Sequence, residues 1–452
     1  MSYKQISPGH SPAIPTKDNN LLWLKRGIWI YFLLLIFEGA LRKWVLPSLA
    51  SPLLIIRDPI AIWLLFTTWR KGLLPANGYI TVIVIVSLIG IVTAVLIGHG
   101  NLYVALYGAR ILLIHFPLIF VIGRIFNRDD VVKLGKVFIL LSIPMALLIA
   151  VQFYSPQSAF VNRGVGGDVE GAGFDGAMGF FRPPGTFSFT TGTTLFFGLA
   201  SCFVCYFWIK NEGISKILLT IATMGLLAAI PFSISRSLLL MEMSALLFAF
   251  IGMLRQPKYI GRLIVMILGG FILLSLLSQI SFLQTPIIAF TARFDSASAA
   301  EGGIQNAAGS RYIGSLVDAV AGSTDQPFFG LGLGMGTNVG SQLLTGKSSG
   351  FLIAEGEWGR LVGEMGPLMG LIVIFMRLSL FIKIAIASYY KLLQNDLLPW
   401  ILLGYALQTI PQSQWAQPTT LGFSTLIGGL IISSLRSSYK EDNSIRLRQL
   451  NA

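Results

Sequence analysis

Arginine is the residue of this chain that most invites a chemical reading. Arg236 stands in Ser235-Arg-Ser237, Arg182 opens Arg182-Pro-Pro-Gly-Thr-Phe187, and Arg311 stands in Gly309-Ser-Arg-Tyr312. Arg110 opens an apolar run, and Arg293 lies in the longest polar stretch, roughly 284–365. A guanidinium is permanently charged and planar, and it grips phosphate through paired hydrogen bonds. The carboxylates lie in Glu355-Gly-Glu-Trp-Gly-Arg-Leu-Val-Gly-Glu364. On a helix Glu357, Arg360 and Glu364 share one face and Glu355 points elsewhere.

The elements that must position these residues are membrane helices. The chain has 452 residues, 54% of them hydrophobic and only 12% charged. Apolar runs of about 20 residues recur along its length, the mark of an all-α polytopic membrane protein. About twelve spans are expected, near 27–46, 50–69, 78–98, 103–126, 133–154, 186–208, 216–233, 237–254, 260–283, 366–388, 397–412 and 417–435. The polar, Pro-containing start up to Lys25-Arg26 does not resemble a cleavable signal peptide, so the first run stays as a helix. With the N-terminus inside, roughly two-thirds of the 33 basic residues, Arg377 among them, fall on the cytoplasmic side. Both termini, 1–26 and 436–452, are then cytoplasmic. Nine helices occupy 27–283 with an outer loop near 155–185, a large periplasmic loop covers 284–365, and three helices fill 366–435.

The net charge of +13 is thus a topology signal and not a nucleic-acid surface. Several charges remain that retention does not explain: Arg42, Lys43, Arg57, Arg110, Arg182 and Arg236, accompanied by Glu38, Asp58 and Glu242. Ionisable groups at membrane depth are costly unless paired or wet, and they mark functional sites. Glu38 and Arg42 are spaced for an ion pair. Lys43, beside Trp44, is expected to snorkel to the interface, and Arg57-Asp58 to pair with the first hairpin. Arg236, in a tight turn with no adjacent acid, reads as functional. At the outer face such arginines suit a lipid-linked phosphate or diphosphate. A Glu at the membrane boundary is suited to act as a general base; a Glu357–Arg360 pair on a surface helix is the competing account.

Other chemistries find no support. Pro327-Phe-Phe-Gly-Leu-Gly-Leu-Gly-Met-Gly336 has neither nucleotide-loop spacing, so its glycines serve turns and close backbone approach. His10, His99 and His115 lie far apart, and no cluster has zinc spacing. Cys202 and Cys205 sit in an apolar run without metal-ligating neighbours.

Taken in order, Arg182-Pro-Pro-Gly-Thr-Phe187, Ile234-Ser-Arg-Ser237, Gly309-Ser-Arg-Tyr312 and Pro327-Phe-Phe-Gly-Leu-Gly resemble the motifs of the O-antigen ligase and polymerase family. These are inner-membrane enzymes of bacterial surface polysaccharide assembly. The resemblance covers roughly residues 180–390. It departs at Glu355, where the family's last motif, ending here in Glu364-Met-Gly366, usually begins with a histidine. The resemblance implies a GT-C-like fold and a metal-independent, cofactor-free polymerase joining undecaprenyl-diphosphate-linked oligosaccharides. A ligase using another acceptor is the alternative. It implies Arg236 and Arg311 on the diphosphate and Glu355 as base. Arg182, Arg293, Arg110, Glu357 and Arg360 would line the cavity. Implied partners are donor and acceptor glycolipids, membrane lipid, and a chain-length regulator or export proteins. A transporter or flippase for a lipid-linked glycan is the main rival from another class, although no internal repeat relates the two halves. A scaffolding subunit of an export complex is a third, and it would leave the membrane charges superfluous.

Overall fold

A backbone in lipid must satisfy its own N–H and C=O groups, and the helix does so within one segment. A computed structural model of the chain describes residues 19–255, 261–262, 264, 268–270, 275, 279–300, 314–322, 326–346, 352–354 and 356–436. It is mostly helical. The helices are α1 (Asn19–Ala40), α2 (Asp58–Arg70), α3 (Gly78–Leu96), α4 (Leu102–Ile125), α5 (Arg128–Tyr154), α6 (Thr190–Ile209), α7 (Lys216–Ser233) and α8 (Arg236–Leu254). They continue with α9 (Ser281–Ala300), α10 (Glu357–Leu393), α11 (Leu398–Thr409) and α12 (Pro418–Ser434).

Among the described residues, 8 helical segments are long and apolar enough to cross a membrane. They match the expected spans from 50–69 to 133–154, from 186–208 to 237–254, and 366–388. Runs 397–412 and 417–435 become the shorter α11 and α12, run 27–46 becomes α1, and much of 260–283 lies outside the described residues. In α6 the most apolar window is 94% buried, which makes it the centre of the bundle. The corresponding windows of α3 and α7 are each only 33% buried, so their apolar faces stay open to lipid.

Asparagine and serine set several helix starts. Asn77, Asn101 and Ser235 accept backbone N–H bonds as N-caps, and Asn127 forms a reciprocal capping box with Asp130. The regular helix gives way beside buried charges. Residues 41–45 and 111–115 are π turns next to Arg42, Lys43, Arg110 and His115, and the Pro47–Arg70 span unwinds just before Arg57 and Asp58.

Contacts define two ends of the bundle. At one end Lys25 bonds Asp130, Arg128 bonds Asp396 (2.9 Å) and Glu212 (3.2 Å), and Arg436 reaches the carbonyls of Arg124 and Phe126. Residues near both limits of the described chain, Lys25 and Arg436, therefore lie at the same end. The other end carries the 155–189 loop, the 97–101 turn and the 327–337 segment. One part of the 155–189 loop is not helical: Phe174–Ala177 and Phe180–Arg182 form an antiparallel hairpin. Its connecting residues Met178 (φ 55°) and Gly179 (φ 77°) both take positive φ, as a two-residue type I′ turn requires.

Glu212 belongs to the first end. Burial works against its charge, yet the Tyr206 hydroxyl and Arg128 hold its carboxyl below the usual range. A depressed carboxyl contributes stability at neutral pH that is lost as pH falls through its folded value. Acidification should therefore lower the thermal midpoint of the native protein more than that of Glu212→Gln. Parallel slopes for the two proteins in detergent would refute this role for Glu212.

Candidate functional site

Three segments distant in sequence bring arginines together. Arg182 ends the second strand of the hairpin, which is pinned when Phe180 stacks on Phe153 of α5 (4.6 Å between centroids, 4° between planes). The first strand packs against α9, which carries Arg293. Arg236 opens α8. Burial, and then the charges of Arg293 and Arg236, pull the Arg182 guanidinium down to about 10. Among the described residues its buried Nε has no hydrogen-bond partner. Arg182 thus remains charged at neutral pH in the company of two like charges, an arrangement that an anion would relieve.

The turn before Arg236 is strained. Ile234 adopts φ 47° and ψ 40°, a left-handed conformation that a β-branched residue rarely takes. Ser235 Oγ accepts from the Leu238 N–H (3.3 Å) and lies 3.1 Å from Thr194 Oγ1 of α6. These contacts hold the strained turn and fix where Arg236 leaves it. Such outliers persist where the surroundings over-determine them, often at binding sites.

The carboxylates are organised differently. Helix α10 is broken at Gly366 (φ 78°, ψ 171°), and Pro367 begins its long arm. Twenty residues of straight helix span about 30 Å, yet Arg377 Nη1 donates to Glu357 Oε1 over 2.6 Å. The 357–365 arm therefore folds back along the helix that follows it, and a Cβ on Gly370 would lie 2.7 Å from Val362 Cα. Arg360 donates to both Glu357 oxygens (2.9 Å each) and to Glu364 Oε2 (2.6 Å), and the Gly336 N–H donates to Glu364 Oε1 (2.8 Å). Glu357, Arg360 and Glu364 share a face as their spacing predicts, but that face is buried and not a surface. Their polar atoms are engaged with one another, and the structure does not join them to the three arginines.

The glycine run serves this fold-back. Gly330 (φ 72°) lies so close to the kink that a Cβ would sit 2.5 Å from the Glu364 carbonyl carbon. Leu331 and Gly332 donate backbone bonds to the carbonyls of Gly363 and Glu364 (2.8 and 3.0 Å). His99 Nε2 lies 3.1 Å from the Leu333 carbonyl oxygen, and His99 Nδ1 accepts from the Asn101 N–H. The segment 327–337 is therefore a wedge between the α3–α4 turn and α10.

Three expectations change. Lys43 does not snorkel: it is buried and donates to the Gly185 carbonyl (2.8 Å). Arg377 is not a cytoplasmic retention charge, because it lies in the bundle with Glu357, the carbonyls of Ile410 and Ser413 (2.9 Å each) and the face of Trp415. Arg110 does not open a span or join Arg182. It sits inside α4 and donates to both Asp58 oxygens (3.0 and 2.9 Å). Asp58 also meets His115 Nε2 (3.0 Å), whose Nδ1 meets the Tyr31 hydroxyl (3.0 Å). Sequence reading treated His115 as isolated, since its partners lie 57 and 84 residues away.

Glu38 pairs with Arg42 (3.4 Å) as expected and with Arg57 (3.1 Å). Arg57 Nη2 continues to the Pro418 carbonyl (2.6 Å), passing Gly422, where any side chain would collide with the guanidinium. Arg311 and Glu355 lie outside the described residues. Among the described residues no group of His, Cys, Asp or Glu side chains is arranged to hold a metal ion.

Fold and composition define a polytopic α-helical membrane protein. No protein-family model, curated protein or solved structure matches the chain.

The two charged groups should respond oppositely to mutation. Glu357→Gln strips Arg377 and Arg360 of a buried partner and should cost about 3–5 kcal/mol. Arg182→Ala removes a crowded cation and should leave stability unchanged or raise it by about 0.5–2 kcal/mol. Thermal unfolding in detergent checks both, and destabilisation by Arg182→Ala would show that its charge is paired in the folded protein.

Proposed function

We propose that this chain is a polysaccharide polymerase-type glycosyltransferase acting on undecaprenyl-diphosphate-linked oligosaccharides at the periplasmic face of the bacterial inner membrane. The observation that carries the reading is the convergence of Arg182, Arg236 and Arg293, with Arg182 crowded by like charge. A diphosphate supplies the compensating negative charge, and its isoprenoid chain keeps it at the depth where these arginines stand. The acceptor hydroxyl attacks the anomeric carbon of the donor glycan. The bond from that carbon to the diphosphate oxygen breaks, and the carrier diphosphate leaves. Arginines fixed in advance stabilise the charge growing on that leaving group, an effect that commonly dominates such catalysis. Glu355 takes the hydroxyl proton, and Arg311 joins the diphosphate set. Arg110, Glu357 and Arg360 hold the scaffold.

The same chemistry with another acceptor would make the protein a ligase. A flippase for the same glycolipid is the second reading, favoured by the buried Asp58–Arg110–His115 group, in which Arg110 and His115 lie inside α4.

The test uses purified protein in nanodiscs with a synthetic lipid-diphosphate oligosaccharide, following chain growth and released carrier. Growth is expected, and it should persist in excess chelator because arginines supply the positive charge. Arg182→Ala and Arg236→Ala should each slow it by about 10²–10³-fold. Normal rates in both variants would remove the arginines from the site. Lipid movement across the bilayer without growth would select the flippase.

A further inference from the structure

Glu242 takes no part in the groups described above. It lies in α8, six residues beyond Arg236 and hence about 9 Å further along the helix. It is 4% exposed, and its buried Oε1 has no hydrogen-bond partner among the described residues. The other acids drawn into the bundle, Glu38, Asp58, Glu357 and Glu364, each have an arginine. No charged group acts on Glu242 among the described residues.

The surroundings follow from register. Helices α8 and α11 run antiparallel, joined by Gln408 to the Leu240 carbonyl (3.3 Å), Ser244 to the Gly404 carbonyl (2.8 Å) and Trp400 to the Phe248 carbonyl (2.9 Å). These bonds place Glu242 level with residues 405–406. Tyr405 is fully buried, and its hydroxyl also lacks a partner. Helix α6 closes the seam: Cys205 is within electrostatic reach of Glu242, and Cys202 within reach of Tyr405. Tyr405 and the two thiols therefore lie in the same α6–α8–α11 seam as Glu242. The thiols and carboxyl do not form a metal-ligating group. An ionisable side chain kept inside a membrane bundle without a counter-ion is the kind of group that carries protons.

We propose that Glu242 is a reversible proton-binding site within the α6–α8–α11 seam. Glu242 gains one proton on a carboxylate oxygen and returns it to water. The assignment is independent of the glycosyl-transfer reading.

The test treats the whole protein in nanodiscs with dicyclohexylcarbodiimide, a lipid-soluble reagent for protonated carboxyls, and locates the adduct by peptide mass across a pH series. Labelling at Glu242 is expected to follow a single titration. Glu242→Asp should keep the labelling. Glu242→Gln should remove both the adduct and a pH-dependent carboxyl band in the infrared difference spectrum. Absence of label and band at every pH would overturn the proposal, as would labelling that ignores pH. Loss of label on adding sodium at constant pH would also overturn it, because the ligand would then be a metal cation.

Discussion

The contact between Glu357 and Arg377 is the interaction on which one end of this molecule depends. It brings together residues that a straight helix would hold about 30 Å apart, so it exists only because Gly366 reverses the chain. Once formed, the reversed arm presents the Gly363 and Glu364 carbonyls to the glycine segment and the Glu364 carboxylate to Gly336. Arg377 in turn ties Ile410 and Ser413 to the same point, and the Trp358 indole N–H reaches the Pro411 carbonyl (3.0 Å). Four chain segments thus converge on one buried carboxylate–guanidinium network. Lipid supplies no hydrophobic force between helices, so polar convergence of this kind does much of the work of fixing segment positions.

A simple rule orders the remaining charges. Glu38 takes Arg42 and Arg57, Asp58 takes Arg110, and Glu357 and Glu364 take Arg360. The π turns at 41–45 and 111–115 and the break before Arg57 lie beside these groups. Regular helices would fix side-chain positions by a single periodicity; local irregularity re-aims a residue toward a partner. Charges that are paired this way account for the fold. Arg182, crowded by like charge, Lys43, bonded to a carbonyl, and Glu242, without a counter-ion among the described residues, do not obey the rule.

The architecture was legible where one periodicity governs. Apolar runs place most of the helices within a few residues, and the i,i+4 spacing of Glu38 and Arg42 and the shared face of Glu357, Arg360 and Glu364 survive intact. What a one-dimensional reading misses is partnership across the bundle. Lys43 beside Trp44 has the composition of an interfacial residue, but the π turn directs it inward to Gly185. Arg377 has the position of a retention charge, but the reversal at Gly366 supplies it with an acid 20 residues earlier. The hairpin at 174–182 is short and Gly-rich, too brief for alternation to declare it. The grouping of Arg182, Arg236 and Arg293 was suggested by side-chain type and by resemblance; no spacing in the chain connects them.

Cost is also distributed unevenly. Arg182 holds a buried nitrogen without a partner among the described residues, as Arg57 and Arg110 also do, but it has no carboxylate there either, and Ile234 holds a backbone conformation suited to glycine or asparagine. Ile234 Cδ1 and Arg182 Cγ both approach Gly176 of the hairpin closely enough that a Cβ there would meet each of them. Two unfavourable features therefore meet at one small strand pair, on the face that α9 and its Arg293 cover. A folding requirement would be met more cheaply by a neutral residue at 182 and a glycine at 234. The chain retains the expensive choices, and a marginally stable protein tolerates such costs where they create a site. That argument turns on free energy alone, and it points to the hairpin, not to the well-paired carboxylates, as the place where a ligand would restore what folding leaves unsatisfied.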